Sequence, residues 1–390
     1  MNIIIKNAEI FTPNFIGKKD IVILRDKIVY IGEKINKNFN LNFLNFKTID
    51  AKEKYIVPGF IDSHQHFLGG GGEGGFRTRT PAIRLTDITK GGVTTAVGCL
   101  GTDSVTRNLR SLLAKSKALE KEGISTYMYT GSYRIPPNTI TEGVREDIVL
   151  IDKIIGTGEV ALEDHRSSQP TYEEFKKVVA ETSIGGMLAG KAGIVNIHMG
   201  DGKNGLGYLY KIIEEGILSP KNILPTHINR SQVLLEQGRD YAKIGGLIDL
   251  TTSSSNQDQD KNECAESLNY LFNEDVPIEN ITLSSDAQGS LPKFDQNGKM
   301  TGMRIGQVTS LYETVKSAVK DFEIDLSKAL KVITSNPARI FGLENKGKVV
   351  ENYDADLVIL DKEDLTIETV IAKGNIMIED KKAVVKGTFQ

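Results

Sequence analysis

Eight short apolar runs, each followed by a longer stretch of different period, fill the middle of this chain and limit its fold more than any other feature. The runs are Gly59–Asp62, Val93–Cys99, Ser125–Tyr129, Val160–Leu162, Ile194–Ile197, Ile223–Pro225, Leu247–Leu250 and Ile281–Leu283. Between them lie segments at the helical period. Val105–Glu122 is one, with Leu109, Leu112, Leu113, Ser116 and Leu119 on one face; Tyr172–Leu188 and Gln232–Lys243 are others. Eight strand–helix units in about 290 residues is the arithmetic of a (β/α)8 barrel.

The two ends read differently. Ile3–Ile5, Ile21–Leu24 and Ile28–Ile31 are short β-branched segments separated by charged turns, and Asp356–Leu360, Thr366–Ile371, Ile376–Ile378 and Ala383–Lys386 repeat the pattern. Either set alone leaves strand edges unpaired, so the ends are expected to meet in one sheet. The expected fold class is therefore α/β: a TIM-like barrel over 55–345, with a small β-sandwich domain formed by both termini, 1–54 and 346–390.

Charge and composition exclude several classes of function. With 38 Gly, 11 Pro, 39% hydrophobic and 25% charged positions, the chain has a globular composition. A net charge of -3 gives no basic field for nucleic acid or anionic lipid. No apolar run reaches the 18 or so residues of a membrane span, and the opening Met1-Asn2-Ile3-Ile4-Ile5-Lys6 lacks a signal-peptide layout. Two cysteines, Cys99 and Cys264, are too few for a disulfide framework and read as core thiols in a reducing compartment. A cytoplasmic protein without nucleic-acid or membrane partners is expected.

In a barrel of this kind the site is built where strands run out at their carboxyl ends. Those positions carry His64 and His66, Thr102, Tyr133, His198, His227 and Asp286, with Glu159 beside strand four, and so hold four of the five histidines. His64-Gln65-His66 is spaced at the strand period, which aims both imidazoles the same way. Joined to His198, His227 and Asp286, the pair makes a nitrogen- and oxygen-rich pocket suited to zinc or a similar divalent ion. The fifth histidine, His165, reads as a hydrogen-bonded loop residue. The run Gly69–Gly75 lacks the Lys-Ser or Lys-Thr of a phosphate loop; its glycines suit a mobile backbone that approaches a ligand closely, with Glu73 at its centre for an ammonium group. Arg166 and Arg230 follow strands four and six as guanidinium forks for carboxylates. Such a pocket is complementary to a dipeptide containing an acidic residue.

These residues resemble the amidohydrolase superfamily, whose strand-one signature here is Val57-Pro58-Gly59-Phe60-Ile61-Asp62-Ser63-His64-Gln65-His66. More closely they resemble its isoaspartyl dipeptidase family, through Gly69-Gly70-Gly71-Gly72-Glu73, Leu100-Gly101-Thr102-Asp103-Ser104, Thr130-Gly131-Ser132-Tyr133, Asp164-His165-Arg166-Ser167, His198-Met199-Gly200-Asp201, Pro225-Thr226-His227-Ile228-Asn229-Arg230 and Leu283-Ser284-Ser285-Asp286-Ala287-Gln288-Gly289-Ser290. The resemblance implies two divalent ions, zinc above all, one held by His64, His66 and Asp286 and the other by His198 and His227, with a bridging hydroxide that attacks the isopeptide amide. It makes Asp286 the general acid and base, Tyr133 the donor to the oxyanion, Glu73 the partner of the substrate ammonium, and Arg166 and Arg230 the partners of its carboxylates. Gly71, Thr102 and Ser290 become lesser substrate contacts. The small-molecule substrate it implies is a β-aspartyl dipeptide, and the assembly a homo-oligomer, an octamer in many relatives.

The departure lies at strand four. Much of the family bridges its metals there with a carboxylated lysine; here Glu159 occupies the place, and no lysine lies between Lys153 and Lys176. A glutamate bridge is expected, with strand or metals shifted inward to meet a shorter side chain. Two competing readings share parts of this pattern. A cyclic amidase such as a dihydroorotase or hydantoinase, or an N-acyl amino acid deacylase, shares the ligands but not Glu73, Arg166 and Arg230. A non-catalytic barrel homologue loses the ligands, all of which are present here.

Overall fold

The computed structural model describes residues 1–35, 45–254, 262–294 and 300–390. Residues 36–44, within the span expected for the terminal sheet, and 255–261 and 295–299, within the barrel span, lie outside the described residues. In β1 (Asn2–Phe11), β2 (Phe15–Leu24) and β3 (Lys27–Gly32), Ile3, Ile5, Ile21, Ile23 and Ile28 turn to one buried face, as a two-residue period requires. Two strands not foreseen, β4 (Lys47–Asp50) and β5 (Lys54–Pro58), lie parallel to β1. The chain enters the barrel at Gly59.

Eight barrel strands follow in chain order: β6 (Phe60–Gln65), β7 (Val93–Gly98), β8 (Ser125–Thr130), β9 (Ile154–Leu162), β10 (Ile194–Met199), β11 (Ile223–Thr226), β12 (Ile248–Thr251) and β13 (Ile281–Ser284). The first six form one parallel ladder and the last two another. β11 lies beside β12 and β13 beside β6. The latter seam carries a Gln65–Ala287 bridge and a Ser285 N–H bond to Asp62 Oδ1 at 3.1 Å. Helices α1 (Leu85–Thr89), α2 (Leu109–Glu122), α3 (Val144–Leu150), α4 (Tyr172–Ala189), α5 (Gly207–Glu215), α6 (Gln232–Lys243), α7 (Glu263–Asn273) and α8 (Ser310–Lys320) cover the strands. α2 starts four residues later than its apolar pattern, because Asn108 caps it by accepting from Ser111 N at 3.0 Å. A hairpin, β14 (Ser290–Phe294) and β15 (Met300–Ile305), leaves the end of β13 at the barrel mouth; the sequence reading had no place for it. Among the described residues no helix is long and apolar enough to cross a membrane.

After α9 (Leu326–Lys331) and α10 (Ser335–Ile340), the chain returns to the terminal sheet with β16 (Leu357–Asp361), β17 (Ile367–Ala372), β18 (Asn375–Glu379) and the short β19 (Lys382–Ala383). β16 pairs antiparallel with β5, with Val57 opposite Val358, so the two ends form one nine-stranded sheet. Ile21 and Ile23 share a core with Leu357, Ile359 and Ile371 although their strands are far apart in sheet order, so the sheet curls over its own apolar face.

Sheet and barrel are pinned by one buried lysine. Lys346 Nζ lies 2.5 Å from Asp356 Oδ2, 2.7 Å from Asp354 Oδ2 and 2.7 Å from Ser125 Oγ at the foot of β8. Its removal leaves buried carboxylate uncompensated. Lys346→Ala is expected to destabilise the chain by about 3 kcal/mol, read from the shift in a denaturant unfolding midpoint; an unchanged midpoint refutes the role.

Candidate metal centre

The strand-period pair behaves as its spacing demands. His64 is the last residue but one of β6 and His66 follows the strand, their rings 5.4 Å apart. His198 sits in β10, His227 follows β11 and Asp286 follows β13; the last two take the left-handed conformation, with φ of 63° and 50°. All five side chains are buried; the four imidazoles converge on Glu159, and Asp286 faces His64 and His66.

Glu159 reaches the centre through an irregularity in β9. Thr157 points out to helix α4, its hydroxyl 2.6 Å from that of Thr182. Strict alternation would send Glu159 outward as well. However, Val195 of β10 faces Thr157 and Ile197 faces Val160, so Asn196 stands opposite two residues, Gly158 and Glu159. This bulge reverses the phase and turns Glu159 inward. Only glycine fits beside it, since a Cβ at position 158 would lie 2.9 Å from Asn196 Cβ and O.

The two carboxylate oxygens of Glu159 then serve different partners. Oε1 lies 2.7 Å from His198 Nδ1 and 3.1 Å from His227 Nε2. Oε2 lies 3.3 Å from His64 Nε2 and 3.8 Å from His66 Nε2. Asp286 Oδ1 is 3.0 Å from His66 Nε2 and 3.6 Å from His64 Nε2. Two groups of ligand atoms result, His64, His66, Cys99 and Glu159 in one and Glu159, His198 and His227 in the other, each within 4.8 Å of one another. His64 Nε2, Glu159 Oε2 and Asp286 Oδ1 are buried and have no hydrogen-bond partner among the described residues. Buried polar atoms facing one another without hydrogen bonds fit a cation among them.

Each imidazole is also gripped on its far nitrogen, as metal-ligating histidines are. Asn196 Oδ1 lies 3.1 Å from His64 Nδ1, Cys99 Sγ 3.6 Å from His66 Nδ1, Thr251 Oγ1 2.6 Å from His227 Nδ1 and Asp164 Oδ2 3.0 Å from His198 Nε2. Electrostatics agree. Burial alone would raise the Glu159 carboxyl, but His64 and His198 hold it well below the usual carboxylate range. Burial and the neighbouring His198 push His227 down to about 3, leaving it neutral as a ligand must be. Against the cost of burial, Cys99 and Glu159 hold His64 well above its usual range; a divalent cation competes for the same negative charge.

Above this centre opens a cavity of about 1130 Å³ that brings the remaining expected residues together. Tyr133 places its hydroxyl 2.8 Å from His198 Nδ1. On one wall Glu73 Oε1 accepts from Thr102 Oγ1 at 3.0 Å and lies 3.5 Å from Arg166 Nη1. Thr102 thus holds Glu73. Arg230 stands beside Arg166, and Gly71 backs onto Ser290, whose Oγ is buried without a hydrogen bond among the described residues. His165 is exposed at the rim, 3.5 Å from Asp164 Oδ1.

Three features escaped sequence reasoning. Cys264 is a core thiol as expected, but Cys99 touches the ligand cluster. The glycine-rich loop is strapped rather than loose: Arg107 donates to Leu68 O and Thr80 O at its two ends, and Asp103 holds both Arg107 and Arg79. Asp164, passed over between a histidine and an arginine, proves to be a hub of the site. Its signal was its place one turn past a strand end beside Arg166.

Comparison with known proteins adds to this geometry. The model of the amidohydrolase family matches residues 55–377. The chain is similar to the β-aspartyl dipeptidase of the thermophilic, keratin-degrading Fervidobacterium islandicum AW-1, solved in complex with β-Asp-Leu dipeptide. The two are 46% identical, with a TM-score of 0.91 over 98% of this chain and 97% of that one. A dihydroorotase of Lactococcus lactis subsp. lactis (strain IL1403) is 25% identical over 410 residues, covering 93% of this chain and 90% of that protein. A D-hydantoinase at 18% identity and a TM-score of 0.68, covering 100% of this chain and 97% of its own, shares the fold.

Proposed function

From the premise that this chain belongs to the amidohydrolase family, and within it to the β-aspartyl dipeptidases, we propose that it hydrolyses β-aspartyl dipeptides in a metal-dependent reaction. The observation that carries the reading is the division of Glu159 between two histidine pairs, directly beneath a mouth with an acid on one wall and two arginines on another.

His64, His66 and Asp286 would hold one ion and His198 and His227 the other, with Glu159 between them. Two divalent ions there, zinc by preference, supply Lewis acidity toward the scissile carbonyl and acidify the attacking water. The chain's own groups do the rest. Glu73 receives the substrate α-ammonium while Arg166 and Arg230 receive its carboxylates. The 3.5 Å pairing of Glu73 with Arg166 supports this, since a zwitterion can enter between them and satisfy both. Thr102 keeps Glu73 aimed, and Gly71 and Ser290 shape the wall behind it. Tyr133 donates its phenol proton toward the developing oxyanion. Asp286 takes a proton from the attacking water and delivers it to the departing amine. By the same reading the protein works as a homo-oligomer in the cytoplasm, with the barrel of 55–345 carrying the site and 1–54 with 346–390 as the accessory domain.

Leucine release from β-aspartyl-leucine, with α-aspartyl-leucine beside it, tests this before and after chelation and zinc return. Strong cleavage of the β-linked peptide, little of the α-linked one, loss to background on chelation and recovery with zinc are expected. Cleavage of neither by zinc-loaded protein refutes the reading and moves the activity to another amide, such as the cyclic substrates of a dihydroorotase.

A further inference from the structure

Asp164 lies on the loop after β9, only 6% exposed, with both carboxylate oxygens engaged. Oδ1 accepts from Arg166 Nε at 2.9 Å and from the Arg166 backbone N–H at 2.8 Å. Oδ2 accepts from Arg166 Nη2 at 2.7 Å, lies 3.5 Å from Arg230 Nη1 and stands 3.0 Å from His198 Nε2. The guanidinium of Arg166 is therefore held by two bonds along its Nε–Nη2 edge, with Cζ 5.4 Å from the centre of the Tyr133 ring.

The same carboxylate settles the proton of His198. Nδ1 faces Glu159 Oε1 at 2.7 Å, and a nitrogen that ligates a metal carries no proton. The proton then sits on Nε2, where Arg166 Nη2 at 3.0 Å and Arg230 Nη2 at 3.3 Å are themselves donors. Asp164 is the acceptor among these neighbours. It also supplies the negative charge without which two guanidinium groups and an imidazole would face one another.

We propose that Asp164 is a positioning residue serving two sites at once: it fixes the tautomer of His198 for the metal and aims Arg166 and Arg230 at the substrate carboxylates, coupling metal affinity to substrate recognition through one side chain. The second half rests on the dipeptidase reading above; the first does not.

Asp164→Asn keeps the shape while replacing an acceptor oxygen by a donor, and is read in two ways. Zinc affinity of the metal-stripped chain, measured by competition with a chromophoric chelator, is expected to fall about 10- to 100-fold at one of the two sites. In zinc-saturated protein the KM for β-aspartyl-leucine is expected to rise about tenfold or more, because freed arginines lose their aim. Asp164→Glu, with the charge kept one methylene further out, is expected to fall between wild type and Asp164→Asn on both readouts, and carries the test by itself where the asparagine variant does not fold. Unchanged zinc affinity with unchanged KM overturns the proposal, and a loss confined to one readout overturns the coupling. A wild-type protein that binds zinc but leaves β-aspartyl-leucine intact overturns the dipeptidase reading and the carboxylate half with it, while the zinc-affinity comparison still decides the tautomer half.

Discussion

Glu159→Gln is expected to cost this protein at least one metal ion per chain and to lower kcat/KM for β-aspartyl-leucine by on the order of 10³-fold. Glutamine keeps the volume and the bulge at Gly158, so the strand has no reason to move. What changes is charge and lone pairs. The carboxylate presents one oxygen to His198 and His227 and the other to His64 and His66; an amide can present an oxygen to only one pair and turns N–H donors on the other. Metal content after dialysis, measured beside activity, decides the matter. Two ions retained with full activity in the variant, or one ion per chain with full activity in the wild type, would falsify the bridge. Glu159→Lys separates this centre from the carboxylated-lysine kind. The bulged strand already brings Oε1 within 2.7 Å of His198 Nδ1, which leaves no depth for a longer carbamate. Bicarbonate is therefore expected not to restore that variant, and wild-type activity is expected to be indifferent to bicarbonate.

How far the sequence exposes such a site depends on whether neighbours in space are also neighbours in pattern. The eight barrel strands were legible because strands buried on both faces keep a short, largely apolar run, although for β9 that run was only Val160–Leu162 of Ile154–Leu162, and their order along the chain fixes their order in the barrel. His64 and His66 were legible from their spacing, and His198, His227 and Asp286 from their places at strand ends. Glu159 was not readable in that way. Its inward aim comes from the mismatch of β9 and β10 around Asn196, which is a property of two strands and of neither sequence alone. Asp164 and Arg107 stayed hidden for a related reason: their partners are His198, Arg230, Leu68 and Thr80, separated from them along the chain and brought close only by the barrel. The β14–β15 hairpin carries a proline, Pro292, inside a strand, which argues against a strand until its partner is seen.

Asp286→Asn is expected to lower kcat by about three orders of magnitude while leaving most of the metal in place. Asp286 sits in a left-handed turn whose carbonyl accepts from Gly289 N at 3.0 Å and against which Gly306 packs so closely that a Cβ there would lie 2.2 Å from Asp286 O. The side chain is therefore delivered to a fixed place, 3.0 Å from His66 Nε2, by backbone that asparagine tolerates as well as aspartate does. Burial alone would raise its carboxyl, but the imidazole of His66 3.0 Å away, with His227 and His64 behind, holds it down to about 2. The sign follows directly: a depressed pKa keeps the base form present at every pH above it, so acidification toward pH 5 does not protonate Asp286. Any loss of rate in that range belongs to the histidines and their metals, and is expected to persist with the same midpoint in the variant. A rate profile whose acid limb disappears in Asp286→Asn would show instead that Asp286 titrates there. Metal analysis separates its two roles. His64, His66 and Glu159 remain to hold the ion, so a variant that keeps its metal and loses its rate identifies Asp286 as the proton carrier, whereas metal and rate lost in proportion would reduce it to a ligand.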